Sequence, residues 1–295
     1  MTAAQRLAAG SITVGLVVLA LKGTAWLVTG SAALFSDAAE TLVNVAAAVI
    51  ALAALHLAAR PADANHPYGH DKAEFFAAVI EGALIVVAAG VILEHAWAVY
   101  RRPPPLAAPL LGLGLNAVAT MLNGAWAGLL LRRGRRLRSA ALRADGQHLL
   151  SDVVTSGGVL VGVALVFATG IRLLDPVLAA LTAVYILVAG LRVIAASVGG
   201  LMDTAPSEEV LSRIRRVVSE TAEGAIEAHD LRTRSAGRLT FLEFHLVVPG
   251  EMTVARAHDI CDRIEAALKV EMAELRITIH VEPEGKAKHH GVLVL

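Results

Sequence analysis

His148 and Asp152, four residues apart in Gln-His-Leu-Leu-Ser-Asp, and Glu40 and Asn44, at the same spacing, are polar side chains set within long apolar stretches. On a helix, positions i and i+4 share a face, so each pair can aim two ligand atoms at one point. An imidazole nitrogen, two carboxylates and an amide suit a divalent cation, Zn²⁺ first and Fe²⁺, Mn²⁺ or Cd²⁺ as alternatives, rather than Na⁺ or K⁺. Such ligands must shed protons to bind metal, so binding is linked to proton release. An Asp at the centre of a membrane helix costs about 2.5–3.5 kcal/mol on insertion scales, and such groups face a bundle interior. The plain alternative is a hydrogen-bonded pair that only joins helices. Asp37, one turn before Glu40, reads equally as a proton relay or backing group and as a helix-start residue facing an outer aqueous cavity.

Two further sets lie outside the apolar stretches. Asp63, His66 and His70 offer three ligands within eight residues around a Pro-Tyr-Gly turn, although short His-bearing tracts also occur incidentally. Towards the C-terminus stand His229, His245, His258, His280 and Glu282. His280 and Glu282, two apart, share one face of a strand. Singly, each of these histidines reads more simply as a surface or hydrogen-bonded residue than as a ligand.

The elements that must position them belong to a membrane protein. Hydrophobic residues make up 56% of the 295, charged residues 18%, and the mean hydropathy is +0.63. Six stretches, approximately 7–29, 33–58, 74–100, 107–131, 145–170 and 176–200, each reach the roughly 20 residues that a bilayer crossing needs. The apolar character ends near Met202-Asp203. Residues 1–203 therefore read as a six-helix transmembrane domain, 204–285 as a second, mixed-polarity domain and 286–295 as a flexible tail. In the last of these, His289-His290 is a weak metal-capture point on a frayed terminus. The 132–143 loop carries Arg132, Arg133, Arg135, Arg136, Arg138 and Arg143, and loop 59–72 adds Arg60 and Lys72, which predicts both termini on the cytoplasmic side.

The tail reads as α+β. Val210, Ile214, Val217 and Val218 take helical spacing after Pro206-Ser207, and two strand-like runs, 228–234 and 239–248, flank Ser235-Ala236-Gly237. Ala257, Ile260, Ile264 and Leu268 mark a second helix, and 275–282 a last strand. The order αββαβ predicts a sheet with helices on one face. About 80 residues make a marginal core, which gains from dimerisation or bound metal.

Composition excludes several classes. A net charge of zero gives no basic excess for nucleic acid. Cys261 is the lone cysteine, so neither an intrachain disulfide nor a thiolate cluster can form. No phosphate-binding Gly-rich loop ending in Lys-Ser/Thr and no His-Glu-x-x-His is present, which disfavours ATP-driven pumping and an intramembrane enzyme.

Four segments resemble the cation diffusion facilitators of the bacterial zinc and iron efflux type: Ser-Ala-Ala-Leu-Phe-Ser-Asp-Ala-Ala-Glu, Asn-His-Pro-Tyr-Gly-His-Asp-Lys-Ala-Glu, Arg-Ala-Asp-Gly-Gln-His-Leu-Leu-Ser-Asp and Ala-His-Asp-Leu-Arg-Thr-Arg-Ser-Ala-Gly. The resemblance implies a divalent-metal/proton antiporter of the inner (cytoplasmic) membrane, an all-α six-helix transmembrane domain followed by a cytoplasmic ferredoxin-like αββαβ domain. It implies that residues 1–203 carry transport and 204–285 metal-binding dimerisation, in a homodimer working by alternating access. By position it implies a transport site of Glu40, Asn44, His148 and Asp152, and a loop site of Asp63, His66 and His70. A dimer-interface cluster would use His229, His245, His258, His280 and Glu282, and Lys72 with Asp203 would link two protomers. One departure stands out: the usual pair of aspartates in the second span is here Glu40 and Asn44, with one negative charge fewer. A non-transporting, metal-responsive scaffold or partner subunit is the alternative that this departure raises.

Overall fold

The computed structural model describes residues 3–103, 108–136, 140–237, 239–288 and 292–293; Arg138 and the His289-His290 pair lie outside them. Among the described residues six helices are long and apolar enough to cross a membrane. They are α1 (Ala3–Thr29), α2 (Ala32–Ala58), α3 (Ala73–Arg101), α4 (Pro109–Arg136), α5 (Ala140–Thr169) and α6 (Leu174–Leu201). The tail follows as α7 (Glu208–Thr221), β1 (Glu227–Ala236), β2 (Leu239–Val248), α8 (Val254–Glu271), β3 (Leu275–Pro283) and β4 (Val292–Leu293).

Two compact units result, Met1–Ala53 with Ala77–Ile194, and Ala54–Phe76 with Ala195–Leu295. The α2–α3 loop thus packs with the tail, where the Tyr68 ring meets Phe241 edge-on at 5.8 Å.

In the first unit, small residues let helices approach. Ala25, Ala33, Leu34, Val159 and Val163 join α1, α2 and α5, while Ala32, Ala89, Ile92, Ala183 and Ile186 join α2, α3 and α6. The start of α2 is fixed by a carboxylate from the start of α6. Asp175 accepts from the Ala32 and Ala33 backbone N–H groups at 2.6 and 3.2 Å and from the Ser31 hydroxyl at 2.5 Å. These groups have no partner within their own helix, and the anion complements the helix dipole. Helices α3 and α6 cross at Gly82 and Gly190. A Cβ on Gly82 would stand 2.6 Å from Ile194 Cγ1 and 2.9 Å from the Gly190 carbonyl oxygen.

In the second unit, alternation along β2 turns Leu242, Phe244 and Leu246 onto α7 and α8, where Ile214, Val217, Val218, Ile260, Ile264 and Leu268 complete the core. The sheet order is β3-β2-β1-β4, with β1–β2 antiparallel and β2–β3 parallel. The tail expected to be loose supplies β4, whose Val292 and Leu293 pair with Ala228 and Glu227. Two apolar residues suffice to add a short edge strand, beyond the reach of a periodicity argument.

Gly82→Val is expected to cost about 1–3 kcal/mol through overpacking, whereas Gly90→Val on the same helix, with open space at its Cβ, should be close to neutral. Thermal unfolding of the detergent-solubilised variants measures the difference.

Candidate metal centres

Glu40 and Asn44 from α2 and His148 and Asp152 from α5 line one cavity of about 250 Å³. The Asn44 amide donates to Asp152 Oδ2 at 3.0 Å, and His148 Nε2 stands 3.9 Å from the same oxygen. Four side chains predicted from helical spacing on two separate segments therefore meet in space. Asp152 is nearly buried while the His148 side chain is 52% exposed, so the cavity opens on the imidazole side. Among the described residues no partner satisfies Glu40, which leaves its carboxylate free towards the cavity.

Behind this cavity lies a polar knot. The Lys22 ammonium, 2% exposed, donates to Asp37 Oδ1 and to Ser156 Oγ, each at 2.8 Å. The Ser156 hydroxyl donates to Asp37 Oδ1 at 2.7 Å and the Asn116 amide to Asp37 Oδ2 at 2.7 Å. Helices α1, α2, α4 and α5 are tied at one point, one turn from Glu40 on α2 and one turn from Asp152 on α5. The reading of Asp37 as a residue facing an aqueous cavity is corrected: it is 1% exposed, because a buried carboxylate needs the ammonium beside it.

The loop brings together Asp63, His66 and His70, whose ligand atoms all lie within 4.8 Å of one another. His66 Nδ1 is 3.3 Å from one oxygen of Asp63 and His70 Nε2 is 3.4 Å from the other. The backbone N–H groups of His66 and Asn65 donate to Asp63 Oδ1 at 2.8 and 2.9 Å. The first of these bonds chiefly holds the Asp63 carboxyl below its ordinary range, so the carboxylate is ready as an anion.

In the tail, His229, His245 and His280 are cross-strand neighbours in one row over β1, β2 and β3, on the face away from Phe244 and Leu246. Glu282 reaches into this row: its oxygens stand 3.3 Å from His229 Nε2, 3.3 Å from His245 Nδ1 and 3.8 Å from His280 Nε2. Both ring nitrogens of His229 and Nδ1 of His245 are buried yet aligned in no hydrogen bond among the described residues. Imidazoles and carboxylates arranged this way fit a divalent ion better than each other. His258 does not join them; it lies exposed on α8 beside Asp262 at 3.8 Å. Lys72 and Asp203 pair at 2.9 Å within one chain, where Asp203 follows the end of α6 and Lys72 precedes α3. That hydrogen bond is the largest cause holding the Asp203 carboxyl below its ordinary value. The pair's contribution, at most about 1 kcal/mol at such exposure, is present at neutral pH and fades as pH falls through the depressed value.

Residues 9–202 match the cation efflux transmembrane domain and residues 206–284 the cytoplasmic domain of cation efflux proteins. The chain belongs to the cation diffusion facilitator family. An uncharacterised transporter of Synechocystis is 44% identical over 92% of this chain and 88% of its own length. The cation-efflux pump FieF of Yersinia pestis is 32% identical over 90% and 88%. The solved zinc form of CzrB, 49% identical, covers 29% of this chain and 98% of its own, with a TM-score of 0.28.

Several groups in this family member escaped the sequence reading. Lys22 is a lone cation in an apolar segment, and its insertion cost alone was the available signal. Asp230, within 4.8 Å of the His229 and His245 ligand atoms, is turned there by a bulge at φ 53°, and a short polar side chain tolerates that backbone. Glu227, 1% exposed, stands 3.3 Å from His229 Nδ1. Glu81 of α3 lines the membrane cavity.

Lys22→Met should strand Asp37 and cost about 3–5 kcal/mol, with most of the loss recovered when Asp37→Leu is added. Unfolding temperatures of the purified full chain in detergent check both. In the tail, Glu282→Gln is expected to weaken metal binding at least about tenfold, read by titration calorimetry.

Proposed function

We propose that this protein is a proton-coupled antiporter that exports a divalent transition metal, Zn²⁺ or Fe²⁺ foremost and Mn²⁺ or Cd²⁺ as alternatives, from the cytoplasm by alternating access. The observation that carries this reading is the meeting of α2 and α5 at one cavity, with Asn44 bonded to Asp152 at 3.0 Å and His148 alongside. An arriving dication competes with protons for Glu40, His148 and Asp152, so loading on one side and release on the other move protons in the opposite sense. The Asn44 amide is held by Asp152 and can turn its oxygen to an ion that takes its place. Asn44 adds a hard, neutral donor, while His148 keeps borderline metals favoured.

The remaining parts fit this role. The chain acts as a homodimer in the inner membrane with both termini in the cytoplasm, and metal bound at His229, His245, His280 and Glu282 reports cytoplasmic metal and steadies the dimer. Asp63, His66 and His70 form an accessory site in the α2–α3 loop. The similarity to FieF, named as a cation-efflux pump, supports the direction of transport. A second reading, a metal-responsive scaffold, draws on Asn44: an amide already bonded to Asp152 is also what a resting structural contact looks like.

Proteoliposomes carrying the full chain should take up Zn²⁺ in response to a pH gradient, and Asp152→Ala should abolish uptake. Asn44→Asp should tighten binding and shift the competition among Zn²⁺, Fe²⁺ and Mn²⁺. A wild type that moves none of these ions while its tail still binds metal would support the scaffold.

A further inference from the structure

Glu81 is a cavity-lining carboxylate outside the four-ligand set. It sits on α3, is partly buried, and lines the same cavity as Glu40, Asn44, His148 and Asp152. No hydrogen bond or ion pair engages it among the described residues. A carboxylate held in a membrane helix without a partner is costly, and such groups mark ion pathways. Three other acids of this unit have partners: Asp37 is paired with Lys22, Asp175 caps α2, and Asp145 accepts from Ser11 at 2.7 Å; Glu94, also on α3, is exposed and lies outside the cavity lining.

At about 1.5 Å per residue Glu81 lies about 12 Å along α3 from Ala73, well inside the span Ala73–Arg101. The Gly82–Gly190 crossing, beside Glu81 in sequence, fixes α3 against α6 and holds this carboxylate in place.

Asn44 is uncharged, so Glu40 and Asp152 are the anionic members of the four-ligand set, and Glu81 adds a third carboxylate to the same cavity. We propose that Glu81 is a fifth metal-handling group, a carboxylate on a third helix that engages a divalent transition-metal ion in the cavity it shares with Glu40, Asn44, His148 and Asp152. This inference rests on the reading of the cavity as the metal site. Glu81 adds negative charge that attracts a dication to this cavity, from α3 rather than from α2 or α5.

Zn²⁺ binding to the detergent-purified full chain tests this, comparing wild type, Glu81→Gln, Asp152→Ala and the double variant Glu81→Gln with Asn44→Asp. The class of sites lost in Asp152→Ala is expected to weaken about tenfold in Glu81→Gln, with tail and loop binding unchanged, and to recover in the double variant. In proteoliposomes the same variant should raise the half-saturating metal concentration while keeping the maximal rate. Unaltered affinity of that site class in Glu81→Gln would overturn the role, even if transport proceeds. Weakened binding in a wild-type background that transports nothing would uphold Glu81 while sinking the antiport reading.

Discussion

An ammonium and a carboxylate 2.8 Å apart, sealed from water among apolar helices, form the constraint on which the membrane half depends. Separating Lys22 from Asp37 would leave two unpaired charges where no solvent can reach them, and breaking such a buried pair costs several kcal/mol. Because Ser156 and Asn116 complete the same knot, α1, α2, α4 and α5 are fixed in rotation as well as position. Glu40 lies one turn along α2 and Asp152 one turn along α5, so the knot also sets where the candidate ligands point. The cavity is positioned by an electrostatic requirement behind it more than by the ligands themselves, whose direct contact between α2 and α5 is the Asn44–Asp152 hydrogen bond.

The tail solves a related problem with a sheet. Parallel pairing of β3 with β2 and antiparallel pairing of β1 put three histidines in one row, and the pleat keeps that row on the face opposite the core. Glu282, two residues past His280, places one carboxylate among three imidazoles. The bulge in β1 adds Asp230, whose carboxyl is held below its ordinary range chiefly by the Lys288 ammonium. Cys261 takes no part; burial pushes its thiol up, as suits a core residue.

Sequence disclosed what is periodic or local. Glu40 with Asn44 and His148 with Asp152 were legible because a four-residue spacing within an apolar run has few other meanings, and Asp63, His66 and His70 because they are close in the chain. Six spans and the αββαβ order followed from length and alternation, and the cation diffusion facilitator resemblance from quoted segments. What remained hidden depends on partners distant in sequence. Nothing in α1 says that Lys22 faces α2, and nothing in α3 says that Glu81 turns into the cavity. His258 is placed with the row by the family resemblance alone, and within the chain it stands on α8 beside Asp262 and solvent.

The central claim is that the second and fifth spans close around one ion. Crystals of the full chain grown with Zn²⁺ and measured at the zinc edge would test it directly. An anomalous peak is expected within bonding distance of Glu40, His148 and Asp152, absent from crystals of Asp152→Ala. Peaks confined to the Asp63 loop and the His229 row, with the membrane cavity holding only water, would contradict it.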